Sequence, residues 1–235
     1  MDLDDLFAAT LKRTHPMRLI AMCGHKGAGK NYVANVARDL LTCSDSEVQV
    51  RFFAFAAPFK AFAVNALGIG SVYGSDEEKN TRTEYDWSSM PQYVRDKNED
   101  KAGPMTVREV LQVLGTELSR DVWGKNIWIK AMLRTIQREK VGGTDYFFIT
   151  DCRFPNEADM VKSIGGTIWK VTGDRSNGKD WHESELVIDE IIPDEVITNN
   201  LDDNHDSIAE KVAGVLGITI GSMLKIHKRK DFRKG

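Results

Sequence analysis

Met17-Arg18-Leu19-Ile20-Ala21-Met22-Cys23-Gly24-His25-Lys26-Gly27-Ala28-Gly29-Lys30 is the stretch on which the fold turns. Residues 17–23 form a short apolar run that predicts a buried strand. From Asn31 to Leu41, the apolar residues Val33, Val36, Ala37, Leu40 and Leu41 recur at helical spacing. Between strand and helix, Gly24, Gly29 and Lys30 meet the spacing of a phosphate-binding loop, with an extra Gly27 inside it. Glycines let a backbone adopt positive φ and approach phosphate oxygens. The successive N–H groups of Gly27, Ala28 and Gly29 would then form an anion nest at a helix N-terminus. Lys30 would reach the β- and γ-phosphates as a point charge. Asn31 stands where a Ser or Thr normally ligates Mg²⁺, and Tyr32 follows it at the start of the helix. An amide oxygen is a weaker ligand, so Asn31 is a less secure metal residue than a hydroxyl.

Working outward, Val48–Phe55 predicts a second strand, and Ala56-Ala57-Pro58 opens a helix that Gly68 and Gly70 stop. Residues 70–104 are polar and poor in aliphatics, and read as a variable surface insertion, partly mobile. Thr106 with Glu109 three residues on is a capping-box pattern. A helix is predicted over Trp123–Arg138. Tyr146–Thr150 is a continuous apolar strand ending in Asp151, with Arg153 two residues beyond. Ala158–Ile164 reads as a helix, Thr167–Val171 and Val196–Thr198 as strands, and Ser207–Leu216 as a last helix. Alternating strands and helices predict an α/β fold, a doubly wound and mostly parallel sheet. Ligands of such sheets bind at the carboxyl ends of the strands. That places Asp151 as a partner for Mg²⁺ or an acceptor phosphate, and Arg153 as a bidentate phosphate holder. An N-cap aspartate and a surface arginine are the plainer reading of the same two residues.

The composition is that of a globular protein: 41% hydrophobic and 29% charged over 235 residues. A formal net charge of -3 gives no reason to expect a general nucleic-acid partner. Cys23, Cys43 and Cys152 form no CxxC pair and are odd in number, which argues against a disulfide framework and for a reducing compartment. The scattered cysteines and histidines show no zinc pattern. No apolar run approaches the roughly 20 residues that span a bilayer. Residues 1–16, with Asp2, Asp4 and Asp5, read as an N-terminal arm and not as a signal peptide. A soluble cytoplasmic protein with small-molecule partners is expected. The domain runs over 17–220. The basic stretch 221–235, with Lys225, Lys228, Arg229, Lys230, Arg233 and Lys234, reads as a solvated tail.

Four patches in this order resemble the deoxynucleoside monophosphate kinases of tailed phages, within the P-loop nucleoside monophosphate kinases. They are Gly24–Lys30, then Ala56-Ala57-Pro58-Phe59-Lys60, then Val107–Glu117 with Trp128 beyond. The fourth comprises Asp151-Cys152-Arg153 with Glu157, His182-Glu183-Ser184-Glu185 and Ile197-Thr198-Asn199. The resemblance implies a P-loop kinase-like fold with a helical acceptor-binding insertion. It implies transfer of the γ-phosphoryl group of ATP to a deoxynucleoside monophosphate, with Mg²⁺. In that frame Lys26 would face the acceptor as well as the donor. Phe59 and Lys60 would line the acceptor site, Arg108 would grip its phosphate, and Gln112, Thr116 and Glu117 would shape its base and sugar pocket. His182 and Glu185 would lie near the acceptor, Asp151 and Arg153 at the junction of donor and acceptor, and Asn199 near the donor base edge. Arg175 and Lys179, within 172–184, would belong to a lid. A homodimer and, for a phage-encoded chain, an infected bacterial host are further implications.

Two other readings stay open on the sequence. One is a P-loop kinase of another small acceptor, of the dephospho-coenzyme A type. The other is a non-catalytic, nucleotide-dependent regulator whose basic tail touches DNA. Lys60 and Arg108 are also readable as solvated helix cations, and His182 as a structural histidine. Trp123, Trp128 and Trp169 read as core residues and not as stacking platforms.

Overall fold

A computed structural model describes residues 17–174 and 187–219. The expectations for the N-terminal arm, for Arg175, Lys179, His182 and Glu185, and for the basic tail lie outside the described residues. The chain begins β1 (Arg18–Cys23), α1 (Lys30–Ser44), β2 (Val50–Phe53), α2 (Ala57–Leu67), α3 (Asp76–Lys79), β3 (Arg82–Asp86), α4 (Gln92–Asp96), β4 (Pro104–Thr106) and α5 (Val107–Gly115). It continues through a π-helical turn at Thr116–Arg120 to α6 (Ile127–Val141), β5 (Tyr146–Ile149), α7 (Pro155–Ser163), β6 (Thr167–Thr172), β7 (Glu195–Thr198) and α8 (His205–Leu216). The described residues fall into two compact units, one of residues 17–54, 132–174 and 187–219, the other Phe55–Ala131.

The first unit carries a five-stranded sheet of order β2-β5-β1-β6-β7 with every pairing parallel. Parallel strands need crossovers and so are covered on both faces. Ile20, Met22, Phe148, Trp169, Val171 and Ile197 point to one face and meet α1 and α8. Leu19 points to the other, where α7 packs: a Cβ at Gly166 would lie 3.0 Å from Leu19 and 2.7 Å from Val161. Phe148 is fully buried between Trp169, edge-on at 6.0 Å, and Phe52 at 5.7 Å. Burial of one such ring stabilises by about 1.5–3 kcal/mol. The doubly wound α/β fold expected from the alternation of elements is the one observed.

The second unit has its own core of Ala63, Ile69, Val72, Trp87, Val94, Met105, Val107, Val110, Leu111 and Val113. Residues 70–104, expected as a variable and partly mobile surface insertion, contain α3, β3, α4 and the start of β4, and bury Val72, Trp87 and Val94. Three well-placed apolar side chains anchor this segment despite its polar composition. α5 starts as its capping box predicts: the Thr106 hydroxyl accepts the Glu109 N–H at 3.1 Å, and the Glu109 carboxylate accepts the Thr106 N–H at 2.8 Å. The helix expected from Trp123 begins instead at Ile127, because Gly124, at φ +94°, ends the preceding turn. Trp123 is corrected with it: the side chain is 73% exposed and outside the core. Trp169 is buried at 3%, and Trp128 is half-buried with its indole N–H donating to the Gly115 carbonyl at 2.9 Å.

Candidate phosphoryl-transfer site

The loop after β1 is built for an anion. Gly24, Gly27 and Gly29 have φ of +136°, +83° and +88°, values an L side chain resists. Gly24 also has no room for one, since a Cβ there would lie 2.2 Å from the Val171 carbonyl oxygen. The loop feeds directly into α1, whose N-cap is Gly29. That N-terminus has no side-chain cap and no acidic residue in its first turn. Several other helix starts are satisfied by the protein itself: α3 by Ser75, α5 by Thr106, α7 by the Glu157 carboxylate and α8 by Asn204, while α2 and α4, like α1, have no side-chain cap. Without a side-chain cap or a first-turn carboxylate, the start of α1 presents the positive end of its dipole, alongside the glycine loop, to an anion. Lys30 folds back over the loop, donating to the carbonyls of Gly24 at 2.6 Å and His25 at 3.0 Å. Lys26 and Lys30 are both half-buried on this loop, and Ala28 is fully buried beneath it.

Asp151 leaves the sheet beside the same strand end. β5 pairs with β1 in parallel, and the Cys152 N–H donates to the Met22 carbonyl at 3.1 Å. The turn that carries Asp151 and Arg153 is held by Glu157, 2% exposed, whose carboxylate accepts the N–H groups of Arg153 at 2.9 Å and Phe154 at 3.2 Å. Asn31 is exposed at the start of α1, and its carbonyl accepts the Asn35 amide at 2.8 Å. Asn31 and Asp151 are oxygen donors, the class that Mg²⁺ takes, and Mg²⁺ completes its shell with phosphate oxygens and water. No cluster of three or more His, Cys, Asp or Glu that would hold a metal by protein alone occurs among the described residues.

Three residues near the loop carried no signal in the sequence. His25 meets Asp189 at 3.2 Å, and Lys170 donates to the other oxygen of Asp189 at 2.7 Å. The Lys170 ammonium, helped by His25, holds the Asp189 carboxyl below its usual range. Burial pushes the thiols of Cys23 and Cys152 up, so neither is poised as a thiolate nucleophile. Tyr32 is tied to the start of α8, its hydroxyl 3.1 Å from His205 Nδ1. Asn199 is 2% exposed and spends its amide N–H on the Ala28 carbonyl at 2.9 Å, below the loop.

The remaining predicted residues lie in the second unit. Arg108, in the first turn of α5, donates to Asp76 at 2.7 Å and to Asn80 at 3.2 Å. Lys60 lies 5.3 Å over the Tyr73 ring, and the Phe59 ring is 5.1 Å from that of Trp128. Gln112 is half-buried on α5, and Thr116 begins the π-helical turn. Glu117 on that turn accepts from Asn98 at 3.3 Å through one oxygen, while the other is buried with no hydrogen-bond partner among the described residues. A π-helical turn is a frequent mark of a functional segment.

A family model for deoxynucleotide monophosphate kinase matches residues 63–212. A protein of Acanthamoeba polyphaga mimivirus, provisionally named a deoxynucleotide monophosphate kinase, is 28% identical over 201 residues, covering 78% of this chain and 89% of the relative. The deoxynucleotide monophosphate kinase of Enterobacteria phage T4 is 26% identical over 113 residues, 48% of this chain and 46% of the phage protein. The deoxynucleoside-5'-monophosphate kinase of Escherichia phage T5 is 24% identical over 183 residues, 61% of this chain and 71% of that protein. With nearly two thirds of its length inside the family model, and a phosphate loop of the kind a kinase needs, this chain belongs to the deoxynucleotide monophosphate kinase family.

Proposed function

We propose that the protein transfers the γ-phosphoryl group of ATP to a deoxynucleoside monophosphate, with Mg²⁺ accompanying the donor. The observation that carries this reading is the uncapped N-terminus of α1 beneath a loop of three positive-φ glycines, with Lys30 folded onto it. A phosphate oxygen of the acceptor attacks the γ-phosphorus, the bond from that phosphorus to the β–γ bridging oxygen breaks, and ADP leaves. The attacking oxygen is already anionic, so no strong general base is required, and catalysis is positioning plus charge stabilisation. Lys26, Lys30 and Arg153 supply cationic charge to the donor and the transferring group. Arg108 and Lys60 are assigned to the acceptor phosphate, and Phe59, Gln112, Thr116 and Glu117 to the acceptor nucleoside. Asn31 and Asp151 would hold Mg²⁺ or its waters, and the ion when bound neutralises charge on the donor phosphates. A reducing cytoplasm, where these nucleotides are made, fits three unpaired cysteines.

The test is an ADP-release assay across the deoxynucleoside monophosphates with ATP and Mg²⁺, with dephospho-coenzyme A as a comparison acceptor. Turnover with at least one deoxynucleoside monophosphate is expected. Turnover with dephospho-coenzyme A alone, or with no acceptor, contradicts the proposal.

A further inference from the structure

Asn199 sits where three pieces of backbone meet. Its N–H donates to the Thr172 carbonyl at 2.8 Å, joining the ends of β6 and β7. A Cβ on Gly173 would lie 2.1 Å from the Asn199 carbonyl oxygen, and a Cβ on Gly29 would lie 2.2 Å from the Asn199 amide nitrogen. The backbone of Asn199 is thus held close against Gly173, and its side chain close against Gly29 of the phosphate loop. Its Nδ2 donates to the Ala28 carbonyl, while its Oδ1 is buried without a partner among the described residues. An orphaned buried amide oxygen is costly, and an apolar side chain would avoid that cost. The single bond it does make explains why an amide stands there. The Ala28 carbonyl and the Gly29 N–H belong to one trans peptide, so they point in opposite directions. A donor that pulls the carbonyl down into the core turns the Gly29 N–H up into the nest, where an anion would bind.

We propose that Asn199 is a positioning residue of the phosphate site: through the Ala28 carbonyl it aims the Gly29 N–H at a polyphosphate, and it does not read the donor base. The inference rests on the kinase reading for the identity of the donor but makes a separate demand on the loop. Its ligand class is any polyphosphate anion, with or without a nucleoside attached.

The experiment measures binding of ATP and of inorganic tripolyphosphate to the full-length protein by calorimetry. It compares wild type, Asn199→Asp, which keeps the shape and loses the donor, and Asn199→Ala. Both variants are expected to weaken tripolyphosphate and ATP by the same factor, about tenfold or more, at a temperature where thermal melts show them folded. The acceptor KM should stay within about twofold of wild type. Loss of ATP affinity with tripolyphosphate binding unchanged would make Asn199 a base contact and overturn the proposal. Unchanged binding of both ligands overturns it too, as does failure of both variants to fold, which would assign the residue to stability. Wild type that turns over deoxynucleoside monophosphates while Asn199→Asp binds tripolyphosphate normally sinks this inference alone. Wild type that binds neither ligand and turns over nothing sinks the kinase reading with it.

Discussion

Arg108 shows how much a single side chain can hold in reserve. In the first turn of α5 a cation is disfavoured by the helix dipole, and here it is offset by Asp76 at 2.7 Å and Asn80 at 3.2 Å. Asp76 is largely exposed, so the pair contributes at most about 1 kcal/mol and a phosphate would displace it readily. Replacing Arg108 by Ala is expected to raise the acceptor KM by about 10- to 100-fold and leave the ATP KM within about twofold. Asp76→Asn serves as the control. If it raises the acceptor KM as much as Arg108→Ala does, Arg108 matters only as a structural partner. The glycines and lysine of the loop were legible in the sequence because their chemistry is local, within a few residues of one another. Asp189 was not. It meets His25 across 164 residues of chain, and nothing in its neighbours marks it. Glu157 was half legible: it follows Pro155 at the start of a helix, but its burial and its grip on the Arg153 N–H depend on tertiary packing.

Among the elements, the start of α5 was the most readable feature. Thr106 with Glu109 gave the onset of α5 directly, because a capping box is written in four consecutive residues. Trp123 misled because helical spacing continues across Gly124, while the backbone there takes a conformation that only glycine favours. α8, which covers one face of the sheet, is pinned at its start by a charge pair that gives a pH test. Asp203 accepts from Lys211 at 2.8 Å and from Ser207 at 2.8 Å, and from the Asn200 N–H. The Lys211 ammonium is the largest influence and lowers the Asp203 carboxyl to about 2. A carboxyl with a depressed native pKa stabilises the fold at pH above its unfolded value of about 3.9, and that contribution is lost as pH falls toward the native value. Wild type should therefore melt higher than Asp203→Asn near neutral pH, with the gap closing between about pH 5 and about pH 2. A gap that persists unchanged at the acid end would contradict this role of the pair.

At the scale of the molecule, the parallel sheet was foreseeable because four of its five strands, β1, β2, β5 and β7, are followed by a helical segment, and parallel strands demand crossovers. The strand order was not, since it depends on which hydrophobic faces meet. The second unit was the larger surprise. Its polar segment 70–104 is organised by Val72, Trp87 and Val94, too few to raise the local hydropathy and enough to complete a small core with α5. No helix of the described residues is long and apolar enough to cross a membrane. The proposed reaction would bind its polyphosphate donor at the glycine loop that follows β1, the central strand of the sheet. The most direct measurement follows the label from γ-labelled ATP into deoxynucleoside monophosphates, with wild type and with Lys30→Ala. Wild type should transfer label to at least one acceptor, and Lys30→Ala should lose about 100-fold or more in kcat/KM while still folding. Transfer undiminished in Lys30→Ala, or no transfer by wild type to any deoxynucleoside monophosphate, would contradict the account.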